Sequence, residues 1–222
     1  MAAIDNLLAA IRKHEAPKGY GQIYSGAKGI SLATDVSTMT LNQIVALQRR
    51  MVKSGSASTA CGGYQFIRKT LERTIDEMGL SGDQTWTPAL QDRMAIHLMN
   101  GRGLAKYLSG QITAEHFANN LAMEWASLPV VTAVKGAKGR VLQPGQSYYA
   151  GDGLNKAFHN PADVLRLVKA LNQPVEAQTP QPAPMPAPGT VDAPGPVPEP
   201  AKPMGLLAAL LALLKAIFSR KV

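Results

Sequence analysis

The chain has 222 residues, 45% of them hydrophobic, with 16 prolines, a single cysteine and a formal net charge of +8. One cysteine excludes an intrachain disulfide, so the chain is not a small disulfide-stapled scaffold. Residues 173–222 hold four Lys or Arg against three Asp or Glu, which leaves +7 for residues 1–172. A basic folded part predicts a polyanionic partner: nucleic acid, an anionic membrane face or a wall polymer.

The first predicted helix has apolar residues at helical spacing, on the face formed by Ile4, Leu7, Leu8 and Ile11. Glu15 falls on the same stripe, just before Pro17 ends the helix. A partly desolvated carboxylate has a raised pKa, which suits a general acid working near neutral pH. Taken alone, the pattern also fits a solvated glutamate in the last turn of a helix.

The rest of residues 1–172 shows mostly helical periodicity, which predicts an α+β fold that is mainly α. Residues 29–35 form a short extended candidate, half of a small hairpin. Capping and stop signals then predict five further helices: from Thr40 to Lys53, from Ile67 to a stop at Gly79, from Thr87 to Gly101, from Thr113 with Phe117, Leu121 and Trp125 inward, and a last one from Asn160.

Two loops combine glycines with tyrosines. Gly62-Gly63-Tyr64-Gln65 offers close backbone approach together with a phenol and an amide, and the run after Ser147 repeats this chemistry with Tyr148 and Tyr149. Such groups suit hydrogen bonding to sugars and stacking on them. Together with Glu15, the two loops describe a carbohydrate cleft.

The sequence motifs of several other enzyme classes are absent. The chain has no phosphate-binding loop, no serine nucleophile elbow and no His-Glu-x-x-His. Its four histidines are scattered, so we expect neither a metal site nor a cofactor. Cys61 reads as a small buried thiol, and no basic helix with interleaved aromatics supports binding to nucleic acid.

The composition changes at residue 173. Eleven of the sixteen prolines lie between Pro174 and Pro203. We expect three parts: a domain at 1–172, a disordered Pro-rich linker at 173–203 and an apolar or amphipathic C-terminal helix at 204–222. The apolar stretch is short for a bilayer, which favours partial insertion or membrane-surface contact over a full span. The alternative is a helix docked on protein. The first fifteen residues do not resemble a secretory signal, and we expect a monomer made in the cytoplasm.

Two strings and the upstream Glu15 together resemble phage endolysins and muramidases of the bacteriophage lambda type. The strings are Ser58-Thr59-Ala60-Cys61-Gly62-Gly63-Tyr64-Gln65 and Glu124-Trp125-Ala126-Ser127-Leu128-Pro129. The resemblance covers residues 1–172 and implies a lysozyme-like fold with a small β element. It also implies a peptidoglycan substrate, cleaved at the β-1,4 bond between N-acetylmuramic acid and N-acetylglucosamine, and action at the periplasmic wall during host lysis.

The resemblance also implies roles for individual residues. It matches Glu15 to the catalytic glutamate, Asp35 to an acidic residue that ends the small hairpin, and Tyr64, Gln65 and either Tyr148 or Tyr149 to cleft residues. It favours a lytic transglycosylase, in which Glu15 is acid and then base. The alternatives are a hydrolytic lysozyme with Asp35 as second carboxylate, and a wall- or membrane-binding protein without activity.

Overall fold

Helices dominate the part of the chain that the structure describes. The computed structural model describes residues 2–153 and 155–173. Within these residues the helices are α1 (Ala3–Glu15), α2 (Leu41–Lys53), α3 (Arg68–Met78), α4 (Pro88–Gly101), α5 (Leu104–Leu108), α6 (Ala114–Ala122) and α7 (Pro161–Ala170). The mainly helical fold class is therefore confirmed.

Most predicted helix boundaries are confirmed by the capping side chains. Thr40, Thr87 and Thr113 each accept a hydrogen bond from a backbone amide of the following first turn, as does Asn160 at the start of α7. Gly79 ends α3 at φ 60°, in the left-handed region that glycine adopts readily. The sequence missed the short helix α5, which follows α4 after only two residues.

The core forms where the apolar faces of these helices meet. Helix α7 packs on both α1 and α6, and α2 to α6 pack in chain order, each on the next; α2 and α4 each present apolar residues with no solvent exposure. Leu7 and Ile11, on the predicted stripe of α1, are fully buried. Trp125 lies beyond the end of α6 but is 2% exposed, so it joins the core as predicted. The position of Glu15 is thus fixed by a helix anchored in this core.

The small β element is not where the sequence placed it. Residues 29–35 form turns and bends, and Leu32 is 52% exposed, so the extended candidate there is wrong. The two-stranded sheet pairs β1 (Val134–Lys135) antiparallel with β2 (Val141–Leu142), between α6 and α7. Isolated bridges also join Ile23 to Cys61 and Cys61 to Phe66.

By backbone contacts the chain separates into two units, Met1–Asn172 and Gln173–Val222. The Pro-rich linker and the apolar C-terminal helix lie outside the described residues, apart from Gln173, and both stay predictions. Among the described residues, none of the helices is long and apolar enough to cross a membrane.

Candidate active site

Glu15 is the last residue of α1 and is half-buried. Its Oε1 atom accepts a hydrogen bond of 3.1 Å from the backbone amide of Ser127, which is 112 residues away along the chain. No cation lies within ion-pairing distance of this carboxylate among residues 2–153 and 155–173. Within these residues, the hydrogen-bonding partner of the Glu15 carboxylate is the neutral Ser127, and no charged partner lies beside it.

This environment favours the protonated acid. Burial raises the pKa of the Glu15 carboxyl above its ordinary value of 4.5, because a desolvated anion loses hydration. The hydrogen bonds from Ser127 act in the opposite direction and reduce the shift without cancelling it. A carboxylic acid with a raised pKa can hold a proton near neutral pH and donate it to a leaving oxygen.

Gln22 links the turn after α1 to the predicted binding loop at residues 62–65. Its side-chain amide donates to the backbone oxygen of Glu15 at 3.5 Å, and its side-chain oxygen accepts from the amide of Lys18 at 2.8 Å. The amide of Gly62 in turn donates to the backbone oxygen of Gln22 at 2.7 Å. The structure thus brings together Glu15 and one of the two predicted loops. The sequence offered no signal for the role of Gln22 beyond its place in a glycine-rich loop.

The predicted binding loop 62–65 is the turn of a tight hairpin. Cys61 and Phe66 exchange two backbone hydrogen bonds, of 3.1 and 2.8 Å. Gln65 closes the turn at φ 47°, an uncommon conformation for a residue other than glycine, and its side chain donates to the oxygen of Gly62 at 2.9 Å. A constrained backbone of this kind holds the loop in one shape.

The two glycines of this loop are explained by internal packing. A Cβ atom at Gly62 would lie 2.6 Å from Trp86 and from the side-chain oxygen of Gln91. A Cβ at Gly63 would lie 2.8 Å from the ring of Tyr20. Gly63 also donates its amide to Gln91 at 2.8 Å. Close approach of backbone to protein therefore already requires glycine here, whether or not a ligand also binds.

Tyr64 points into the protein. Its ring is 2% exposed, and its hydroxyl donates to Asp92 and accepts from Arg12 at 2.8 Å. Tyr20 donates to the same oxygen of Asp92 at 2.8 Å. Burial and the bond to Asp92 raise the pKa of the Tyr64 phenol, and the same two causes raise that of Tyr20 to about 12. Both phenols therefore stay neutral donors, in a network that braces α1 against the hairpin and α4.

Asp35 lies against Gly21, in the loop that follows α1. It is exposed, and its Oδ1 atom accepts from the amide and the hydroxyl of Ser37 at 2.8 and 2.6 Å. A Cβ added to Gly21 would collide with the Asp35 carboxylate, so the two segments are in close contact. Asp35 and Gln22 line a cleft of about 270 Å³, and Glu15 is not among its lining residues. The structure thus places Asp35 near the Glu15 turn but in a solvated setting.

Tyr149, next to Tyr148, contacts the chain segment that carries Ser127. The hydroxyl of Tyr149 donates to the backbone oxygen of Met123 at 2.6 Å, four residues before Ser127. Their rings meet edge to face, with centroids 5.4 Å apart. Burial raises the pKa of the Tyr149 phenol, so this hydroxyl is also a neutral donor. Both tyrosines are partly exposed.

Two residues near the acid were missed as site residues by sequence reasoning. Ser127 stood in a recognised string, but nothing in the string indicates that its amide reaches Glu15. Phe158 carries a ring that is 61% exposed, and its amide donates to the oxygen of Ser127 at 2.9 Å. Neither could be found without the tertiary contact between α1 and the segment after α6.

Cys61 matches its prediction as a buried thiol. It has no solvent exposure, and burial raises its pKa to about 12, so the reactive thiolate is not formed at neutral pH. No group of three or more His, Cys, Asp or Glu in the described part of the chain could hold a metal ion.

Comparison with known proteins places this site in a family. Residues 5–155, more than half of the chain, match the family model described as Endolysin. No curated protein and no solved structure matches the chain. The matched range contains Glu15, the hairpin loop, Ser127 and both tyrosines of the second loop. The chain therefore belongs to the Endolysin family, whose members are phage enzymes that degrade the bacterial cell wall.

Proposed function

We propose that the enzyme cleaves the β-1,4 bond between N-acetylmuramic acid and N-acetylglucosamine, with Glu15 as the proton donor. The observation that carries this proposal is a half-buried carboxyl group with a raised pKa that accepts from the amide of Ser127 and, among the described residues, has no cation beside it. Glycosidic bonds break through a transition state resembling an oxocarbenium ion, and protonation of the leaving oxygen is the step such a group can perform. The lysozyme-like character of the domain belongs to the same proposal.

The favoured course is that of a lytic transglycosylase. Glu15 protonates the glycosidic oxygen as the bond from that oxygen to muramic C1 breaks. The carboxylate then takes the proton of the muramic C6 hydroxyl while that oxygen bonds to C1, which gives a 1,6-anhydro end and returns the proton to Glu15. No water is consumed. The exposure of Asp35 and its bonds to Ser37 fit a residue outside this chemistry.

The hydrolytic alternative requires a second carboxylate to activate water or to attack the sugar. Asp35 is the candidate for that role, because it lines the cleft beside the Glu15 turn. Under the favoured course, Asp35→Asn retains most of the activity, and under the alternative it loses most of it.

In this proposal the two loops have different tasks. Tyr148, Tyr149 and the side-chain amide of Gln65 are partly exposed and supply hydrogen bonds to the glycan. Gly62, Gly63 and the buried Tyr64 act mainly by fixing the hairpin beside α1, and any contact of theirs with the glycan is made through the edge of the loop.

Digestion of purified peptidoglycan followed by mass spectrometry tests the proposal. Muropeptides with 1,6-anhydro ends are expected, and reducing muramic ends would establish the hydrolytic alternative instead. Glu15→Gln should leave the sacculi undigested while the chain still binds them through its positive charge. If wild type binds sacculi and releases no products, the chain is a wall-binding protein without this activity.

Membrane contact through residues 204–222 and a monomeric state are further parts of the proposal. Removing residues 204–222 should leave activity on purified peptidoglycan unchanged and reduce binding to anionic liposomes. Equal liposome binding by the full and shortened chains would overturn the membrane contact, and sedimentation at working concentration tests the monomer.

A further inference from the structure

Phe158 is an exposed aromatic ring beside the proposed acid. Its backbone amide donates to the oxygen of Ser127 at 2.9 Å, and the amide of Ser127 donates to Glu15 at 3.1 Å. Two hydrogen bonds and one residue therefore separate Phe158 from the carboxylate. The ring is nevertheless 61% exposed, although burial of a phenylalanine side chain stabilises a fold.

The ring is held in place from one side. It stacks on His14, the residue before Glu15, with centroids 5.7 Å apart and an interplanar angle of 6°. His14 is in turn met edge-on by His159, with centroids 4.2 Å apart and an angle of 78°. One face of Phe158 thus rests on a supported ring, and the exposed fraction of the side chain faces solvent.

His159, which supports His14, is uncharged at neutral pH. Burial, together with the nearby His14 and Lys13, lowers the pKa of His159 to about 4. Asp163 and the backbone of Ala10 oppose that shift. His159 is therefore neutral at neutral pH, so no charge on it separates the two histidine rings.

An exposed aromatic face that is supported from one side and lies next to the proposed general acid suits a saccharide ligand. A pyranose ring presents C–H groups on its faces, and the face of an aromatic ring carries the negative part of its quadrupole. Binding sites for organic ligands commonly place aromatic side chains beside a few polar groups that fix orientation. Here the polar group linked to Phe158 through Ser127 is the Glu15 carboxyl.

We propose that Phe158, supported by His14, is a saccharide-stacking platform that seats one pyranose ring of the glycan against the Glu15 site. This inference rests on the proposed function, since it names the part of the site that binds the same substrate. It adds a binding residue that the sequence reading did not include.

Binding without turnover provides the test. The Glu15→Gln chain is titrated with a soluble tetrasaccharide of alternating N-acetylglucosamine and N-acetylmuramic acid, and the dissociation constant is measured by calorimetry. Adding Phe158→Leu, which keeps an apolar side chain and removes the ring, should weaken binding about tenfold, the equivalent of about 1.4 kcal/mol. Phe158→Tyr should bind like the parent, and His14→Ala should fall between the two.

Val52→Ala is the matched control, because Val52 is an exposed apolar residue on α2 at 52% exposure. It should leave the dissociation constant unchanged. Equal binding by the Phe158→Leu and parent chains would overturn the inference, as would a parent that does not bind the tetrasaccharide. Phe158 is exposed, so loss of folding does not confuse the result, and the melting temperature of each variant checks this.

The two proposals fail in different ways. If wild type produces no cleaved muropeptides but Phe158→Leu still weakens tetrasaccharide binding, the proposed reaction is wrong and the platform stands. If wild type cleaves and Phe158→Leu has the parent dissociation constant and wild-type kcat/KM, the reaction stands and the platform is wrong.

Discussion

Two carboxylates near the last turn of α1 have opposite surroundings. Asp92 accepts hydrogen bonds from the hydroxyls of Tyr20 and Tyr64 and lies 3.4 Å from Arg12. Glu15, three residues after Arg12, accepts from the amide of Ser127 and pairs with no cation in the part of the chain that the structure describes. Several donors hold the Asp92 carboxylate in one position, whereas burial with a hydrogen-bonding partner but no nearby cation among the described residues raises the pKa of Glu15.

The comparison separates a structural carboxylate from a chemical one. The bonds of Asp92 join α1, the loop after it, the hairpin and α4, so its value lies in stability. Glu15 makes a long-range side-chain hydrogen bond, from the amide of Ser127, and its desolvation makes it useful as an acid. Perturbed carboxylates of this kind are enriched at active sites. The following predictions test this division.

The largest expected effect is on catalysis. Glu15→Gln keeps the shape and the hydrogen bond from Ser127 but removes the transferable proton, so kcat should fall by about 10²–10⁴-fold. Product release from purified peptidoglycan measures it. Glu115→Gln, in the first turn of α6 and paired with Lys169 at 3.6 Å, is the control and should retain wild-type activity. A Glu15→Gln enzyme with wild-type kcat would remove Glu15 from the mechanism.

Asp92→Asn should act on stability instead. It removes the charge that Arg12 and two phenols share, and hydrogen bonds to charged groups contribute about 1.5–3 kcal/mol each in favourable cases. We expect the free energy of unfolding, measured in urea, to fall by about 1–3 kcal/mol while the folded enzyme keeps its activity. Asp76→Asn, on the exposed face of α3, should change neither quantity. If Asp92→Asn lost activity without losing stability, the assignment of Asp92 to stability and of Glu15 to catalysis would be contradicted.

Gly62 and Gly55 form a matched pair for the packing of the hairpin. Both have positive φ, 79° and 73°, but a Cβ at Gly62 would meet Trp86 and Gln91 whereas one at Gly55 would meet nothing. Gly62→Ala should therefore destabilise by about 1–3 kcal/mol more than Gly55→Ala, as overpacking does. Thermal or urea unfolding of the two variants gives the difference. Equal losses would mean that backbone strain alone explains the glycine.

The smallest effect is a pH dependence of stability. The Glu15 pKa is raised on folding, so between its ordinary value of 4.5 and the raised value the folded chain binds more protons than the unfolded chain. Stability then falls as pH rises through that window. Glu15→Gln removes this dependence, so the variant should gain stability over wild type as pH increases across the window. If the stability of the variant relative to wild type decreased with increasing pH, the pKa of Glu15 would be lowered on folding instead.

The helices were predictable because their signals are local. The threonine caps, Pro88 and Gly79 act within one turn, and the stripe of α1 placed Glu15 on a buried face. Contacts across the chain were not predictable in this way. Asp92 reads as an ordinary helix residue, and its role depends on Tyr20 and Tyr64 arriving from other segments.

The same limit explains the errors. Ile30 and Leu32 gave residues 29–35 the alternating pattern of a strand. A strand also needs a partner, and no strand pairs with this segment among the described residues. The real sheet has two residues per strand, too few for an alternating pattern to show. The glycines of the hairpin read as room for a sugar, whereas Trp86, Gln91 and Tyr20 already fill that space.

The most direct test of the account is a titration of Glu15 itself. Carbon-13 NMR of the side-chain carboxyls, with Glu15→Gln used to assign the resonance, reports its pKa in the folded chain. The account predicts a midpoint above the ordinary value of 4.5, matching one limb of the pH–activity profile. A midpoint at or below that value would mean a solvated or ion-paired carboxylate and would contradict its role as proton donor.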